Sequence, residues 1–229
     1  MLSVDRIDAA YDESTVLRGV SINAKKNQVT CILGRNGVGK STLIKSIMGV
    51  LKVQEGRLTF NDKDITKAIP AKRARAGMSY VPQGREIFSS LTVEENLLLG
   101  LEANQNKKTD IFETIYRYFP VLKEMKNRKG GDLSGGQQQQ LAIGRALAAE
   151  PALLLLDEPA EGIQPNIVED IQQVIIDLKQ NTETAMILVE QNIEFARSVG
   201  DYFYVMDRGR IMFEGPELVQ EELEQYLSI

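Results

Sequence analysis

The sequence predicts an α/β domain on a mainly parallel sheet, with a small antiparallel β subdomain and a helical subdomain attached. Three observations carry this. First, short apolar runs recur along the chain: VTCILG (29–34), MSYVPQ (78–83), ALLLLD (152–157), AMILVE (185–190) and YFYVMD (202–207). They have the length and composition of strands buried on both faces. Second, helical patterns lie between them, and such alternation argues for a parallel sheet covered by helices. Third, the beginning and the middle of the chain depart from that alternation in two different ways.

Taken in order, LSVDRIDAAY, VSINAK and the later GRLTFND are short runs punctuated by turn residues. They read as a small antiparallel sheet. VTCILG then leads into KSTLIKSIMGVL (40–51), a helix. After MSYVPQ the character changes between about 91 and 150. LTVEENLLLG opens with Thr92 and, three residues later, Glu95, the pattern of a capping box. EANQNKKTD (102–110) is a loop, DIFETIYRYFPVL a helix and KNRKGGD (126–132) a second solvated loop. The alternation resumes with ALLLLD and the helix PNIVEDIQQVIIDLK (165–179), where Ile167, Ile171, Val174, Ile175 and Leu178 form one stripe. Asp207 to Arg210 is a hairpin turn into RIMFEG, followed by a short acidic helix over 216–229. One domain over 1–229 accommodates all of this. The α/β core and β subdomain take about 1–90 and 151–215, and the helical subdomain about 91–150.

The chain has 229 residues, 43% hydrophobic and 26% charged, enough for one large core with attached subdomains. Net charge is −5 without a basic block, which argues against nucleic acid, where Lys and Arg must neutralise phosphates. The single cysteine, Cys31, cannot form an internal disulfide and fits a reducing compartment. MLSVDRIDAAYDE has no secretory-signal core, and no apolar run approaches the roughly 20 residues that cross a bilayer. Any role in transport therefore needs other chains to form the path.

GRNGVGKST (34–42) matches G-x-x-x-x-G-K-[ST] and lies between a strand and a helix, where a phosphate-binding loop must lie. Gly34, Gly37 and Gly39 let the backbone turn so that several N–H groups face one anion. With Arg35, Asn36, Val38 and Thr42 they form a candidate nucleotide cradle. Lys40 would reach the β- and γ-phosphates, and the Ser41 hydroxyl would sit on Mg²⁺.

LLLLDEPAEGIQP (153–165) carries four leucines into Asp157 and Glu158. Alone, it reads equally as an acidic surface turn. Beside a phosphate loop, an acid ending a second strand completes the Mg²⁺ coordination, and Asp157 fits that role. Glu158 would then orient or deprotonate the attacking water. Two further stretches narrow the class. LSGGQQQQLAIGRALAAEP (133–151) places Ser134 as the cap of a helix whose first turn holds Gly135 and Gly136, a second phosphate-shaped site. YVPQGREIF (80–88) ends a strand with Gln83, an amide able to touch both a metal and a water.

In this order the motifs resemble the ATP-binding subunit of ABC transporters, over essentially the whole chain. The resemblance implies ATP and Mg²⁺ as cofactors and assigns GRNGVGKST to the phosphate loop, Gln83 to the Q-loop and LSGGQ to the family signature. It also makes LLLLDEP the Mg²⁺ strand with its catalytic glutamate. Tyr11 falls where the family stacks an aromatic on adenine, and Val16 joins the same nucleotide-contacting set. Ser41, Gln83 and Asp157 are the implied metal contacts. A head-to-tail dimer is implied, in which Ser134, Gly135, Gly136 and Gln137 of one subunit cap the ATP on the other's phosphate loop. The helical subdomain and Gln83 would form the groove that pushes on a membrane permease. Within the family, GREIFSSLTVEENL, QQQQLAIGRAL and EGIQPNIVEDI look closest to the urea-importer subunit, with branched-chain amino acid importers next. Such a subunit lies peripherally on the cytoplasmic face of the plasma membrane and meets a solute-binding protein only indirectly.

Two positions depart from the family. Gln191, in ILVEQN, stands where most members have a histidine facing the γ-phosphate, and the chain has no histidine at all. Gln164 stands where an aspartate is usual. Together they suggest pairing with a second, non-identical ATPase subunit, a homodimer remaining possible in isolation. Gln191 is read as an uncharged catalytic contact. The competing readings are a soluble ABC ATPase unconnected with transport and a hydrolysis-impaired nucleotide sensor. The acidic balance opposes the first, and the intact Asp157–Glu158 pair opposes the second.

Overall fold

The computed structural model describes residues 1–104 and 109–218. Its larger sheet has six strands: β3 (Val29–Leu33), β6 (Met78–Val81), β7 (Leu153–Asp157), β8 (Ala185–Glu190), β9 (Tyr202–Asp207) and β10 (Arg210–Gly215). Their spatial order is β10-β9-β3-β8-β7-β6, and every neighbouring pair is parallel except the β9–β10 hairpin. The five apolar runs thus form the five parallel strands. The second sheet is antiparallel, in the order β2-β1-β4-β5, from β1 (Leu2–Tyr11), β2 (Ser14–Ala24), β4 (Val53–Phe60) and β5 (Lys63–Asp64).

The four leucines are explained by two cores. Leu153 and Leu155 pack with the antiparallel sheet and with Leu43, Ile44 and Ile47 of α1 (Lys40–Met48). Leu154 and Leu156 face the other way, into a cluster with α3 (Val93–Gly100), α6 (Gly135–Leu147) and α7 (Pro165–Asn181). Alternate residues of a strand point to opposite faces, so a strand covered on both sides must be apolar throughout. Each buried leucine contributes about 2 kcal/mol. The expected stripe on α7 is present: Ile171, Val174, Ile175 and Leu178 are buried, and Ile167 packs at the margin.

Several local expectations are corrected. The helix read as 40–51 stops at Met48, because Gly49 adopts φ +76 and ends it. Its last carbonyls, Ser46 O and Ile47 O, accept hydrogen bonds from the buried Arg73 of α2 (Pro70–Arg75), a short helix without an apolar period in the sequence. DIFETIYRYFPVL is not one helix but two, α4 (Ile111–Tyr118) and α5 (Pro120–Glu124). The residue before a proline is pushed out of the helical region, and Phe119 is at φ −131°, ψ 79°. KNRKGGD is not wholly solvated. Gly130 is buried in a 3₁₀ turn, and Lys129 bridges Thr92. The capping box at α3 forms as expected, with Thr92 Oγ1 accepting from Glu95 N and Glu95 Oε2 from Thr92 N. The acidic helix expected over 216–229 lies, from 219 onward, outside the described residues, as does part of the 102–110 loop. α8 (Ile193–Val199) follows β8 and completes the helical face.

Candidate active site

β3, β6, β7 and β8 are parallel and adjacent, so their C-terminal ends open onto one edge of the sheet. Crevices at that edge are where α/β sheets bind ligands. The loop after β3 is shaped by its glycines. A side chain at Gly34 would meet Met206 O at 2.5 Å, and Gly39, at φ +115°, is the N-cap of α1 without a side-chain capping bond. The first-turn N–H groups of α1 therefore face outward, where an anion can accept from them. Lys40 is folded back over the loop, donating from Nζ to Gly34 O at 2.9 Å and Arg35 O at 3.0 Å. A cavity of about 390 Å³ opens here. Asn36, Gly37, Gly39, Lys40, Ser41 and Thr42 form one wall, and Val16, Gln83 and Glu158 complete it. The Val38 side chain is buried in the core, so that residue offers only its backbone. Tyr11, 44% exposed, lies outside the cavity lining.

Two buried acids end β7. Asp157 Oδ1 accepts from Ser41 Oγ at 3.1 Å, and Oδ2 from Tyr80 OH at 3.3 Å. Burial pushes the Asp157 carboxyl above its ordinary range, opposed by the Ser41 hydrogen bond, while the Glu158 charge pushes it further up. A buried carboxylate and a hydroxyl 3.1 Å apart are hard oxygen donors suited to Mg²⁺, which takes one or two protein oxygens and completes its shell with phosphate and water. Glu158 has three side-chain partners. Its Oε1 lies 3.1 Å from Lys40 Nζ, with both side chains 3–4% exposed. Its Oε2 accepts from Gln83 Nε2 and from Gln191 Nε2, each at 3.2 Å. Glu158 holds φ +49°, a conformation that a non-glycine residue keeps only where its surroundings fix it.

Gln83 lines the cavity, as expected of it. Its amide nitrogen donates to Glu158 and, at 2.9 Å, to Glu161. The 134–137 stretch is not part of the cavity lining. There Ser134 caps α6 in a reciprocal box with Gln137: Oγ accepts from Gln137 N at 3.4 Å, and Gln137 Oε1 from Ser134 N at 2.9 Å. Ser134 is exposed, and the guanidinium of Arg85 lies over Gly135. Gln164 is the N-cap of α7 and makes no side-chain cap bond, a role in which an aspartate would serve better.

The chain matches the ABC transporter family over residues 17–161. It belongs to that family. It is 37% identical to a probable branched-chain amino acid transport ATP-binding protein LivF of Archaeoglobus fulgidus, over 97% of this chain and 95% of that one. It is 38% identical to the high-affinity branched-chain amino acid transport ATP-binding protein BraG of Pseudomonas aeruginosa, covering 93% and 91%. Among solved structures, a nucleotide-free ATP-binding cassette from an ABC transporter superposes with a TM-score of 0.82 at 34% identity, covering 100% of this chain and 95% of that one. The ADP conformation of the cassette MJ1267 gives 0.81 at 35%, covering 100% and 94%.

This ABC ATPase holds site residues that its motifs did not reveal. Tyr80 on Asp157, Glu161 on Gln83 and the buried Glu190 at the end of β8 all depend on which strands are neighbours. A signal was present for Glu190, an acid ending an otherwise apolar strand, as at Asp157. Cys31 is buried among apolar side chains, and burial pushes its thiol far up, away from reactivity. Among the described residues no helix is long and apolar enough to cross a membrane.

Proposed function

We propose that this ATPase energises uptake of a small solute, urea, through a separate membrane permease, working from the cytoplasmic face of the membrane. The phosphate-loop amides and Lys40 bind the triphosphate. Ser41 and Asp157 would hold Mg²⁺, which would supply positive charge against the phosphates. Glu158 takes the proton of the attacking water, and Gln191 donates a hydrogen bond toward the γ-phosphate without changing charge. The observation that carries this reading is the placement of Glu158 at the cavity wall, reached at once by Lys40, Gln83 and Gln191.

A second cassette supplies the Ser134–Gln137 edge, since a chain whose own signature lies outside its cavity lining needs another to close the site. The two departures, Gln191 and Gln164, favour a non-identical partner. Phe88, Leu98 and Leu99 are 50%, 44% and 41% exposed. Asn96 ties their two segments together, accepting from Phe88 N at 2.9 Å and donating to Phe88 O at 3.0 Å. An apolar surface of this kind suits a permease, whose solute-binding protein this chain meets only indirectly.

The urea assignment rests on GREIFSSLTVEENL, QQQQLAIGRAL and EGIQPNIVEDI. Branched-chain amino acid uptake is the second reading, favoured by the names of the similar transport proteins. Purified together with its membrane partners in vesicles, the protein is expected to drive ATP-dependent uptake of labelled urea over labelled leucine. Leucine uptake in preference would establish the second reading. Copurification with nucleic acid in place of membrane proteins would refute both.

A further inference from the structure

One buried carboxyl takes no part in the steps above. Glu190 ends β8 and is 3% exposed. It stands in register with Leu33, the residue before the phosphate loop, while Val189 before it pairs with Asp157. Strand alternation puts its side chain on the face of Met186 and Leu188. There its two oxygens serve two different loops. Oε1 accepts from Ala160 N at 3.2 Å, in the loop leaving Glu158. Oε2 accepts from Gln191 N at 3.1 Å and Asn192 N at 3.3 Å. The same two loops meet again outside, where Gln191 Nε2 donates to Glu158 Oε2.

A buried carboxyl is costly, and among the described residues no lysine or arginine forms an ion pair with this one. Its compensation is the three backbone donors. Burial outweighs the lowering effect of the bonds from Ala160, Asn192 and Gln191, leaving it raised to about 7. A residue serving only the core would be apolar here, like the other five residues of β8. We infer that Glu190 is a positioning residue for hydrolysis, locking the Glu158 loop to the Gln191 loop so that both side chains reach the γ-phosphate as one unit. This rests on Gln191 acting as a γ-phosphate contact.

The test measures ATP turnover by the full-length chain for wild type, Glu190→Gln, Gln191→Ala and the double variant, with the folded fraction fixed by thermal unfolding. An amide can accept on one side only, so one loop is released. Losing a charge-assisted hydrogen bond corresponds to about a ten-fold effect. Expected is a kcat about ten-fold lower in Glu190→Gln, an ATP KM within two-fold of wild type, and a double variant barely below Gln191→Ala. Should Glu190→Gln not fold, Glu190→Asp, one methylene shorter, is expected to show the same loss confined to kcat. The role is overturned if the glutamine variant turns over normally while Gln191→Ala is impaired, if KM worsens as much as kcat, or if the two effects multiply. A silent Gln191→Ala overturns the phosphate contact and the positioning role together.

Discussion

Replacing Glu158 by glutamine separates its structural pairing from its chemistry, because shape is kept and charge is lost. The Glu158 carboxylate lies 3.1 Å from Lys40 Nζ, and both are nearly fully buried. The amide oxygen still accepts from Lys40, but the amide nitrogen no longer accepts from Gln83 and Gln191, and losing this charge-assisted hydrogen bonding costs about 2 kcal/mol. For a chain of this size that lowers the melting temperature by about 4–8 °C. With ATP bound, the balance reverses. The carboxylate competes with the phosphates for Lys40 and repels the γ-phosphate, and two like charges about 4 Å apart near a protein surface interact by about 4 kcal/mol. Even a third of that corresponds to about a ten-fold gain in ATP affinity on neutralisation. Turnover, lacking its general base, should fall by about 10²–10⁴. Thermal unfolding with and without ATP, beside a phosphate-release assay, reads all three quantities. An unchanged melting temperature without nucleotide, weakened ATP binding, or turnover within a few-fold of wild type would refute the argument.

Gln191→His should alter turnover in the assembled transporter and introduce a pH dependence near 6.5, because imidazole changes charge there and an amide does not; identical rates and profiles would remove any special role for Gln191. Glu190, raised in the fold to about 7 from an ordinary 4.5, should leave its mark on stability. Its proton favours the folded state fully below about 4.5, and that contribution is lost as pH rises to about 7. Denaturant titrations should therefore show wild type losing stability relative to Glu190→Gln across that window, by roughly 3 kcal/mol at most.

The parallel strands were legible because each is buried on both faces and so is apolar at every position, as at Leu153 to Leu156. The first half of β2 was not legible. STVLRG lacks alternation, and the pairing of β1 with β2 shifts register between Ala9 and Ala10 and twice before that. Pro120 marked the break between α4 and α5, but an apolar period running across it hid the mark. In the site, the phosphate loop was legible because its residues are contiguous. Contacts across strands were not. Lys40 on Glu158 and Tyr80 on Asp157 link positions more than seventy residues apart, and Glu190 faces Ala160 only because β8 lies beside β7. Gln83 shows the limit of motif reading, which named the residue but not the carboxylates its amide meets.

Completion of each catalytic pocket by a second cassette is tested most directly with Ser134→Asp. Aspartate caps a helix as well as serine does, so α6 is preserved, yet a carboxylate now faces the neighbour's triphosphate. ATP turnover of the chain mixed with its partner cassette, measured across a range of concentrations, should rise with concentration for the unaltered protein and fall sharply for the variant at equal thermal stability. A rate per chain that ignores both concentration and the substitution would mean that one cassette hydrolyses ATP alone.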